Sequence, residues 1–214
     1  MEKPSHEFIL LIMNCQKYKY KAIRQKQTWI SFLPSYIYYL HVVGDPDLDE
    51  PYKLIEHDQL LIIKTEDDYN HLPKKVINAY QIINDLFEYK YIYKTDDDQM
   101  LQTTKFFSYV SVTLQKNSNV HYGGMMVTLN DDTTSDYYKF HPELPRDLVL
   151  KKGCYCNGRF YLLSQLAVEA LIKFKPQIEL EYFEDYSIGH YLPSQFKINY
   201  LSLNTNFYFK DMAN

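Results

Sequence analysis

The sequence predicts an α/β fold, a sheet flanked by helices, and two strand-like segments carry that prediction. Residues 8–13 form a short, continuous apolar run, as expected of a strand buried on both faces. Residues 91–95 are rich in β-branched and aromatic side chains and end directly in Asp96, Asp97 and Asp98. Acids in that position stand at the carboxyl edge of a sheet, where α/β proteins bind ligands.

The segments before the acids alternate between helical and strand patterns. Apolar residues with helical spacing predict a helix at 22–33, which Pro34 ends. Residues 36–43 and 60–63 predict two further strands. A second amphipathic helix at 73–87 leads into the central strand. This alternation is typical of a parallel sheet with crossover helices.

The second half has weaker signals. Thr103 or Thr104 is expected to cap a helix whose buried face includes Phe107, Val110 and Leu114. Residues 120–129 read as a strand, and Gly123 with Gly124 predicts a bulge or a close backbone approach. Residues 130–145 show no hydrophobic periodicity, which predicts a long loop.

Another strand, or a strand pair, is predicted at 153–163. Ser164 then caps a helix at 165–174, and a short helix begins near Glu184. The tail at 198–209 has a strand-like pattern. The predicted core positions of the capped helix are Leu166, Ala170, Leu171 and Phe174.

Composition limits the class of protein. The 214 residues suit one domain, and 46% hydrophobic with 23% charged residues is ordinary for a globular protein. A net charge of −4 argues against a general nucleic-acid or anionic-membrane surface. Three cysteines do not make a disulfide framework, and no apolar run is long enough to cross a bilayer. We therefore expect a soluble cytoplasmic protein, unless an anchor has been removed.

Three adjacent aspartates repel one another, and a divalent cation is the simplest partner that offsets this repulsion. They predict a metal site for a phosphorylated substrate; the alternative is a solvated loop. Glu184 and Asp185 also allow two interpretations. They are either catalytic carboxylates or acids that stabilise the start of a helix.

Five segments in order have recognisable motifs. They are an Ile-Arg-x-Thr-Trp-like element at 23–29, an Asp-x-Tyr-x-Asn-Leu-x-x-Lys-like element at 68–75, Lys-x-Asp-Asp-Asp at 94–98, Tyr-x-x-Gly-x-x-Tyr-x-x-Ser at 155–164 and a Glu-Asp-Val-x-x-Gly-like element at 184–189. In this order they resemble the inverting β-1,3-galactosyltransferase and N-acetylglucosaminyltransferase family that includes the Fringe proteins. The resemblance covers most of the span from 23 to 189.

The resemblance implies a GT-A fold, a Rossmann-like mixed sheet with a nucleotide-sugar site at the carboxyl ends of its strands. It implies a metal-dependent inverting transferase that moves a hexose or N-acetylhexosamine from a UDP-sugar to a hydroxyl of a glycan or glycoprotein. In that scheme residues 1–98 form a nucleotide-binding half and residues 99–214 an acceptor-side half of a single domain.

The resemblance also implies roles for particular residues. Asp98 and Asp96 would hold Mn²⁺ or Mg²⁺, since hard oxygen ligands suit those ions; alternatively, Asp96 bonds the ribose. Asp185 would act as general base. The expected nucleotide-sugar contacts are Arg24, Lys75, Asp96, Asp97, Gly158 and Glu184, and the expected acceptor contacts are His121 and Tyr155.

Two other functions remain open from the sequence. One is a binding module of the same fold that recognises a glycan or nucleotide without turnover. The other is a metal-dependent nucleotidyltransferase or phosphohydrolase that uses the same aspartates. The family often completes the metal shell with a late histidine, and His190 lies about 140° around a helix from Asp185. We therefore expect water and diphosphate oxygens to complete the shell.

Overall fold

A computed structural model describes residues 2–212 of the chain. The helices are α1 Lys19–Gln27, α2 Leu72–Leu86, α3 Lys105–Lys116, α4 Gln165–Ile172, α5 Lys175–Ile178, α6 Glu184–Tyr191 and α7 Thr205–Tyr208. The strands are β1 Ser5–Met13, β2 Ile37–Gly44, β3 Tyr52–Ile55, β4 Leu60–Ile63, β5 Glu88–Asp96, β6 Gln99–Leu101, β7 Tyr122–Leu129, β8 Thr133–Thr134, β9 Val149–Leu150, β10 Gly153–Ser164, β11 Leu201–Ser202 and β12 Phe209–Asp211.

Eight of these strands form one mixed sheet in the order β11-β7-β10-β5-β1-β2-β4-β3. The β1 strand lies parallel to β2 and β5, and β10 runs antiparallel between β5 and β7. Helices cover both faces, which confirms the predicted α/β class. The short β6–β12 and β8–β9 pairs lie outside this sheet.

The continuous apolar run of β1 is explained by burial on both faces. Ile9 and Leu11 pack into a core beneath α2, α4 and α6. Phe8 and Leu10 pack on the opposite face with α3 and Trp29. Successive strand residues point to opposite faces, so a strand covered on both sides has no polar alternation.

The register brings the carboxyl ends of the central strands level with one another. Met13 pairs with Asp96 of β5 on one side and with Val42 of β2 on the other. The backbone N–H of Asp97 donates to the Met13 carbonyl at 3.0 Å. The aspartates therefore emerge where β1 and β2 also end.

The predicted close approach at the paired glycines is confirmed. Gly124 has φ 153°, and a Cβ there would lie 2.9 Å from the Cβ of Cys156. Opposite it, the pairing of β10 with β7 shifts register between Cys156 and Tyr161. The resulting bulge pushes Gly158 towards the carboxyl edge of the sheet.

Several sequence predictions were wrong in detail. The helix expected at 22–33 stops at Gln27, and a 3₁₀ turn, Trp29–Phe32, follows because the backbone of Thr28 leaves the helical region. The tail pairs as a strand only at Leu201–Ser202 and Phe209–Asp211, and α7 lies between them. The short strand β3 was not predicted.

The helix after Ser164 is confirmed, and of its predicted core residues Ala170 and Leu171 are buried, whereas Leu166 and Phe174 are exposed. The Ser164 hydroxyl accepts from the Ala167 N–H at 3.2 Å, as expected of a cap. Leu166 is 56% exposed, however, because Ala167 and Leu171, four residues apart, form the packed stripe. No helix within residues 2–212 is long and apolar enough to cross a membrane.

Candidate active site

A cavity of about 630 Å³ opens at the carboxyl edge of the sheet, and we call it the edge cavity. Its walls come from the ends of β1 and β5, the segment leading into α1, the start of α2, the bulge of β10, the start of α6 and the loop between β8 and β9. Its lining residues are Met13, Asn14, Cys15, Lys17, Tyr18, Lys21, Asp67, Asp68, Tyr69, Leu72, Lys75, Lys94, Asp96, Asp97, Asp98, Gln99, Tyr137, His141, Glu143, Asn157, Gly158, Arg159, Glu184 and Asp185.

Each of the three adjacent aspartates has a different partner. Asp96 pairs with Lys94 Nζ at 2.8 Å, and Asp97 with Lys21 Nζ at 3.3 Å. Asp98 accepts from the side-chain amide of Gln99 at 2.8 Å, and no cationic group within residues 2–212 forms an ion pair with it. Burial raises the pKa of both Asp96 and Asp97 to about 6, against the opposing effect of their lysines. The charge of Lys21 acts on Asp98 as well as on Asp97, but only Asp97 forms an ion pair with it.

The backbone of the acid turn is held from below by the segment around α1. The Gln25 side-chain amide is fully buried and donates to the carbonyls of Asp96 at 3.1 Å and Gln99 at 3.0 Å. The Trp29 indole N–H donates to the same Gln99 carbonyl at 3.1 Å. Buried carbonyls need such partners, so these two side chains fix the turn that presents the acids.

A buried lysine joins the acid turn to α6. Lys94 is 1% exposed and lies 2.7 Å from the carboxylate of Glu184 and 3.0 Å from the Gly158 carbonyl. Burial by itself lowers the pKa of Lys94, but the charges of Asp96 and Glu184 outweigh it, and the pKa is raised. Glu184 also accepts the Tyr161 hydroxyl. Lys94 is therefore charged, and it bridges the two carboxylates.

Asp185 faces the edge cavity from the first turn of α6. One carboxylate oxygen accepts a hydrogen bond from the backbone N–H of Gly158 at 2.9 Å. The other accepts from the backbone N–H of the next residue, Tyr186, at 2.8 Å. Burial raises the pKa of Asp185, while the charge of Lys94 and the two N–H donors oppose that rise. A carboxylate held in this way has a fixed orientation and an increased proton affinity.

Gly189 explains how α6 approaches β10 so closely. A Cβ at this position would lie 2.2 Å from the Cβ of Tyr155 and 2.9 Å from the carbonyl oxygen of Cys154. No larger residue fits without moving the helix. The close packing of α6 on β10 therefore explains why the Glu-Asp-Val-x-x-Gly-like element ends in a glycine.

The opposite wall of the cavity is organised by Asp67. Its carboxylate accepts from the backbone N–H groups of Gly44 at 2.8 Å and Gln16 at 2.6 Å, and it pairs with Lys75 at 2.7 Å. Lys75 is 3% exposed and also donates to the Asn14 carbonyl at 2.6 Å. Lys75 is thus a buried, paired cation at the rim of the cavity, and not a solvated helix lysine.

An aromatic stack covers one side of the cavity. The ring of His141 lies over Tyr69 with centroids 3.9 Å apart, and Tyr137 follows at 5.5 Å, all nearly parallel. Tyr137 also meets Phe183 edge-on at 5.7 Å, directly before the acids of α6. The loop predicted at 130–145 therefore forms part of the wall.

The structure brings most of the predicted site residues together, but not all of them. The edge cavity is lined by Lys75, Asp96, Asp97, Asp98, Gly158, Glu184 and Asp185. Arg24 is exposed on α1 outside the lining, where Lys21 provides the cation instead. His121 borders a separate cavity of about 410 Å³ at the opposite edge of the sheet and bonds Ser164 at 2.8 Å. Tyr155 packs beside α6, behind the lining.

Sequence reasoning missed Lys21, Gln25, Asp67 and the role of Lys94. A signal for Lys94 was present, since a lysine inside a buried central strand must have a charge partner. No local pattern indicated Gln25 or Asp67, because their partners lie far away in the sequence. His190 was expected to lie away from the metal, and its ring stacks on Tyr186 outside the lining.

The donor set of the cavity suits a divalent cation only if a ligand shares it. Eight carboxylates but only five lysine and arginine side chains line the walls, so the cavity has an excess of hard, negative oxygen donors. Within residues 2–212, however, no three His, Cys, Asp or Glu side chains converge as a metal cluster. A cation at Asp98 would therefore need oxygens of a bound ligand to complete its coordination.

Comparison with solved structures finds the same fold in a known glycosyltransferase and in one further protein. A glycosyltransferase involved in the glycosylation of the major capsid of PBCV-1 aligns with TM-score 0.51 and 11% identity over 92% of this chain and 82% of its own. The structure of S. aureus TarS 1-349 aligns with TM-score 0.53 and 11% identity over 96% of this chain, which spans 60% of that one. The chain therefore shares the fold of these structures, and its mixed sheet with a cavity at the carboxyl edge is of the GT-A type.

The sequence comparison gives the family. The galactosyltransferase family model matches residues 19–204, which is most of the chain. The chain belongs to the galactosyltransferase family. No curated protein sequence matches it significantly.

Proposed function

We propose that this glycosyltransferase uses a divalent metal and inverts configuration, moving a hexose or N-acetylhexosamine from a UDP-sugar to a hydroxyl of a glycan or glycoprotein. One observation supports this most strongly. Asp96–Asp98 and Asp185 line the same cavity from two sides, and Lys94 pairs with Asp96 and with Glu184, the residue before Asp185. A metal-assisted leaving group and a separate base are the two parts that such a transfer needs.

The diphosphate side of the proposed site lies beneath the ends of β1 and β5. Asp98 would hold Mn²⁺ or Mg²⁺, which supplies positive charge to the departing diphosphate when bound. Lys21 and Lys75 line the same part of the cavity and add positive charge there. Asp96 and Asp97, each with its own lysine, remain available to hydroxyls of the ribose or donor sugar. Arg24 has no place in this scheme, because it is exposed outside the lining.

The base side is formed by Asp185 at the start of α6. Its carboxylate takes the proton of the acceptor hydroxyl while that oxygen bonds to the anomeric carbon. The bond from the anomeric carbon to the diphosphate oxygen breaks, and its electron pair leaves with UDP. Attack opposite the leaving group inverts the anomeric centre. The aromatic Tyr137 borders this side, so we assign the acceptor contact to Tyr137 and not to the distant His121 or to Tyr155, which lies behind the lining.

A donor panel tests the proposal. Purified enzyme is mixed with UDP-sugars, other nucleotide-sugars and Mn²⁺, and both UDP release and thermal stability are measured. We expect one UDP-sugar to raise the melting temperature, and EDTA to abolish that rise. Asp98→Asn should weaken metal-dependent donor binding by about a hundredfold or more, because even indirect changes around a metal cost about 10- to 100-fold.

The matched control is Asp131→Asn, an exposed acid outside the cavity, which should bind donor like the wild type. Release of nucleotide monophosphate or inorganic phosphate would instead support a nucleotidyltransferase or phosphohydrolase. Binding of donor with no turnover on any glycan acceptor would support a binding module. Equal donor binding by Asp98→Asn and the wild type would refute the assigned metal site.

A further inference from the structure

Lys94 contacts three elements of the site: β5, α6 and the bulge of β10. Its ammonium lies 2.8 Å from Asp96 on β5, 2.7 Å from Glu184 on α6 and 3.0 Å from the Gly158 carbonyl in the bulge of β10. Three elements that are distant in sequence therefore meet at one nitrogen. An ammonium has three N–H groups, so these three partners use its full donor capacity.

The Gly158 contact leads directly to Asp185. Lys94 holds the Gly158 carbonyl, and the N–H of the same residue donates to the Asp185 carboxylate at 2.9 Å. The neighbouring Thr95 hydroxyl donates to the Arg159 carbonyl at 2.7 Å and holds the other end of the bulge. A displacement of the Gly158 backbone would therefore turn the carboxylate.

A second connection runs through α6 itself. Glu184 precedes Asp185 in the chain, and its buried carboxylate is fixed by Lys94 and by the Tyr161 hydroxyl. Tyr161 in turn shares a hydrogen bond of 2.7 Å with the Tyr80 hydroxyl of α2. The first turn of α6 is therefore anchored to the centre of the sheet through the ammonium of Lys94.

We propose that Lys94 is a positioning residue, which sets the location of the Asp185 carboxylate relative to the acid turn through Glu184 and the Gly158 backbone. This inference rests on the proposed role of Asp185 as base. It assigns Lys94 no contact with either substrate: its three donors are already used by the protein. Donor affinity should therefore depend on it far less than turnover does.

The test separates positioning from charge balance. Lys94→Met alone leaves Glu184 buried without its cation and is expected to fold poorly. The informative comparison is Glu184→Gln against the double variant Lys94→Met/Glu184→Gln. Glu184→Gln removes the buried charge that would otherwise be stranded, and the other partner, Asp96, is 30% exposed to solvent. We expect kcat of the double variant to be about a hundredfold below that of Glu184→Gln, the cost of a misplacement near 1 Å. KM for the donor should stay within about threefold.

Lys90→Met is the matched control. It removes an exposed lysine of the same strand, β5, whose partner Glu7 lies outside the edge cavity, and its kcat should stay within about threefold of the wild type. A double variant with kcat within about threefold of Glu184→Gln would overturn the inference, since Lys94 would then only balance charge. A donor KM that rises in parallel with the loss of kcat would also overturn it.

A crystal structure of the double variant gives a readout independent of activity. We expect the Gly158 backbone and the Asp185 carboxylate to move apart and lose their hydrogen bond. An unchanged bond would overturn the inference even if kcat fell. If the wild type transfers no sugar from any donor, the proposed function fails, while the crystal structure still decides whether Lys94 positions Asp185.

Discussion

Each carboxylate oxygen of Asp185 accepts a hydrogen bond from one backbone N–H group. This arrangement distinguishes Asp185 from a simple helix-capping acid. The Gly158 donor lies on another element, 27 residues away in sequence, and not in the first turn of α6. A capping acid needs only local donors. The second bond therefore aims the carboxylate into the edge cavity, where the acceptor hydroxyl is proposed to lie.

We expect Asp185→Asn to lower kcat by about 10²- to 10⁴-fold, because the amide cannot accept the hydroxyl proton. Donor binding should be nearly unchanged, since the diphosphate side is untouched. Transfer kinetics and calorimetric titration with the UDP-sugar would measure the two effects. The exposed acid Asp147, changed to Asn, serves as control. Turnover equal to the wild type would show that Asp185 is not the base.

At the scale of elements, the packing of α6 on β10 decides whether Asp185 reaches the cavity. We expect Gly189→Ala to push the helix away from Tyr155, because the added Cβ would lie 2.2 Å from the Cβ of that residue. Overpacking of this kind destabilises by about 1–3 kcal/mol. Urea unfolding and kcat should both show a loss.

Gly153→Ala is the natural control for that experiment. The nearest atom to a Cβ at position 153 is a backbone oxygen at 3.9 Å, which is ordinary contact. Its unfolding free energy should therefore match that of the wild type within about 0.5 kcal/mol. Equal stabilities of the two variants would mean that α6 adapts to a larger residue.

The acid turn depends in the same way on α1. Gln25→Leu should destabilise the protein by about 1–3 kcal/mol, since the Asp96 carbonyl loses its buried amide donor. Metal-dependent donor binding should weaken as well, because the turn that carries Asp98 loses its support. The exposed neighbour Gln27, changed to Leu, should leave both quantities unchanged. Unaltered donor affinity in Gln25→Leu would show that the turn holds its shape without this residue.

At the scale of the whole molecule, the buried acid couples stability to pH. Burial raises the pKa of Asp185 above its ordinary 3.8, so the folded state binds more protons than the unfolded state between that value and the raised one. The contribution of Asp185 to the free energy of unfolding is therefore fully present below pH 3.8. It is lost as the pH rises through the pKa that Asp185 has in the folded state. Activity should change in the opposite direction, because the base must be ionised.

Urea unfolding of the wild type and Asp185→Asn from about pH 4 to about pH 8 would measure this coupling. The stability of the wild type relative to the variant should decrease as pH rises. A constant difference, or one that increases with pH, would contradict the raised pKa. The same pH series of kcat should show an acid limb in the wild type.

Much of the fold could be predicted from the sequence because its signals are local. The apolar run of β1, the Ser164 cap and the buried face of α3 each depend on residues within a few positions of one another. The acids after β5 were placed correctly at the sheet edge for the same reason. The tail at 198–209 was not predicted correctly. Its apolar residues suit a strand, but only short pieces of it pair with another strand.

The sequence by itself determined which acids reach the carboxyl edge and which family the chain resembles. Only the tertiary structure decided how those acids are held. Lys94 meets Glu184 across 90 positions and Gln25 meets Asp96 across 71, while Arg24, one residue before Gln25, points elsewhere. The physical reason is that buried charges and carbonyls must be paired, but which side chain pairs with them depends on how strands and helices pack, and no local spacing records that.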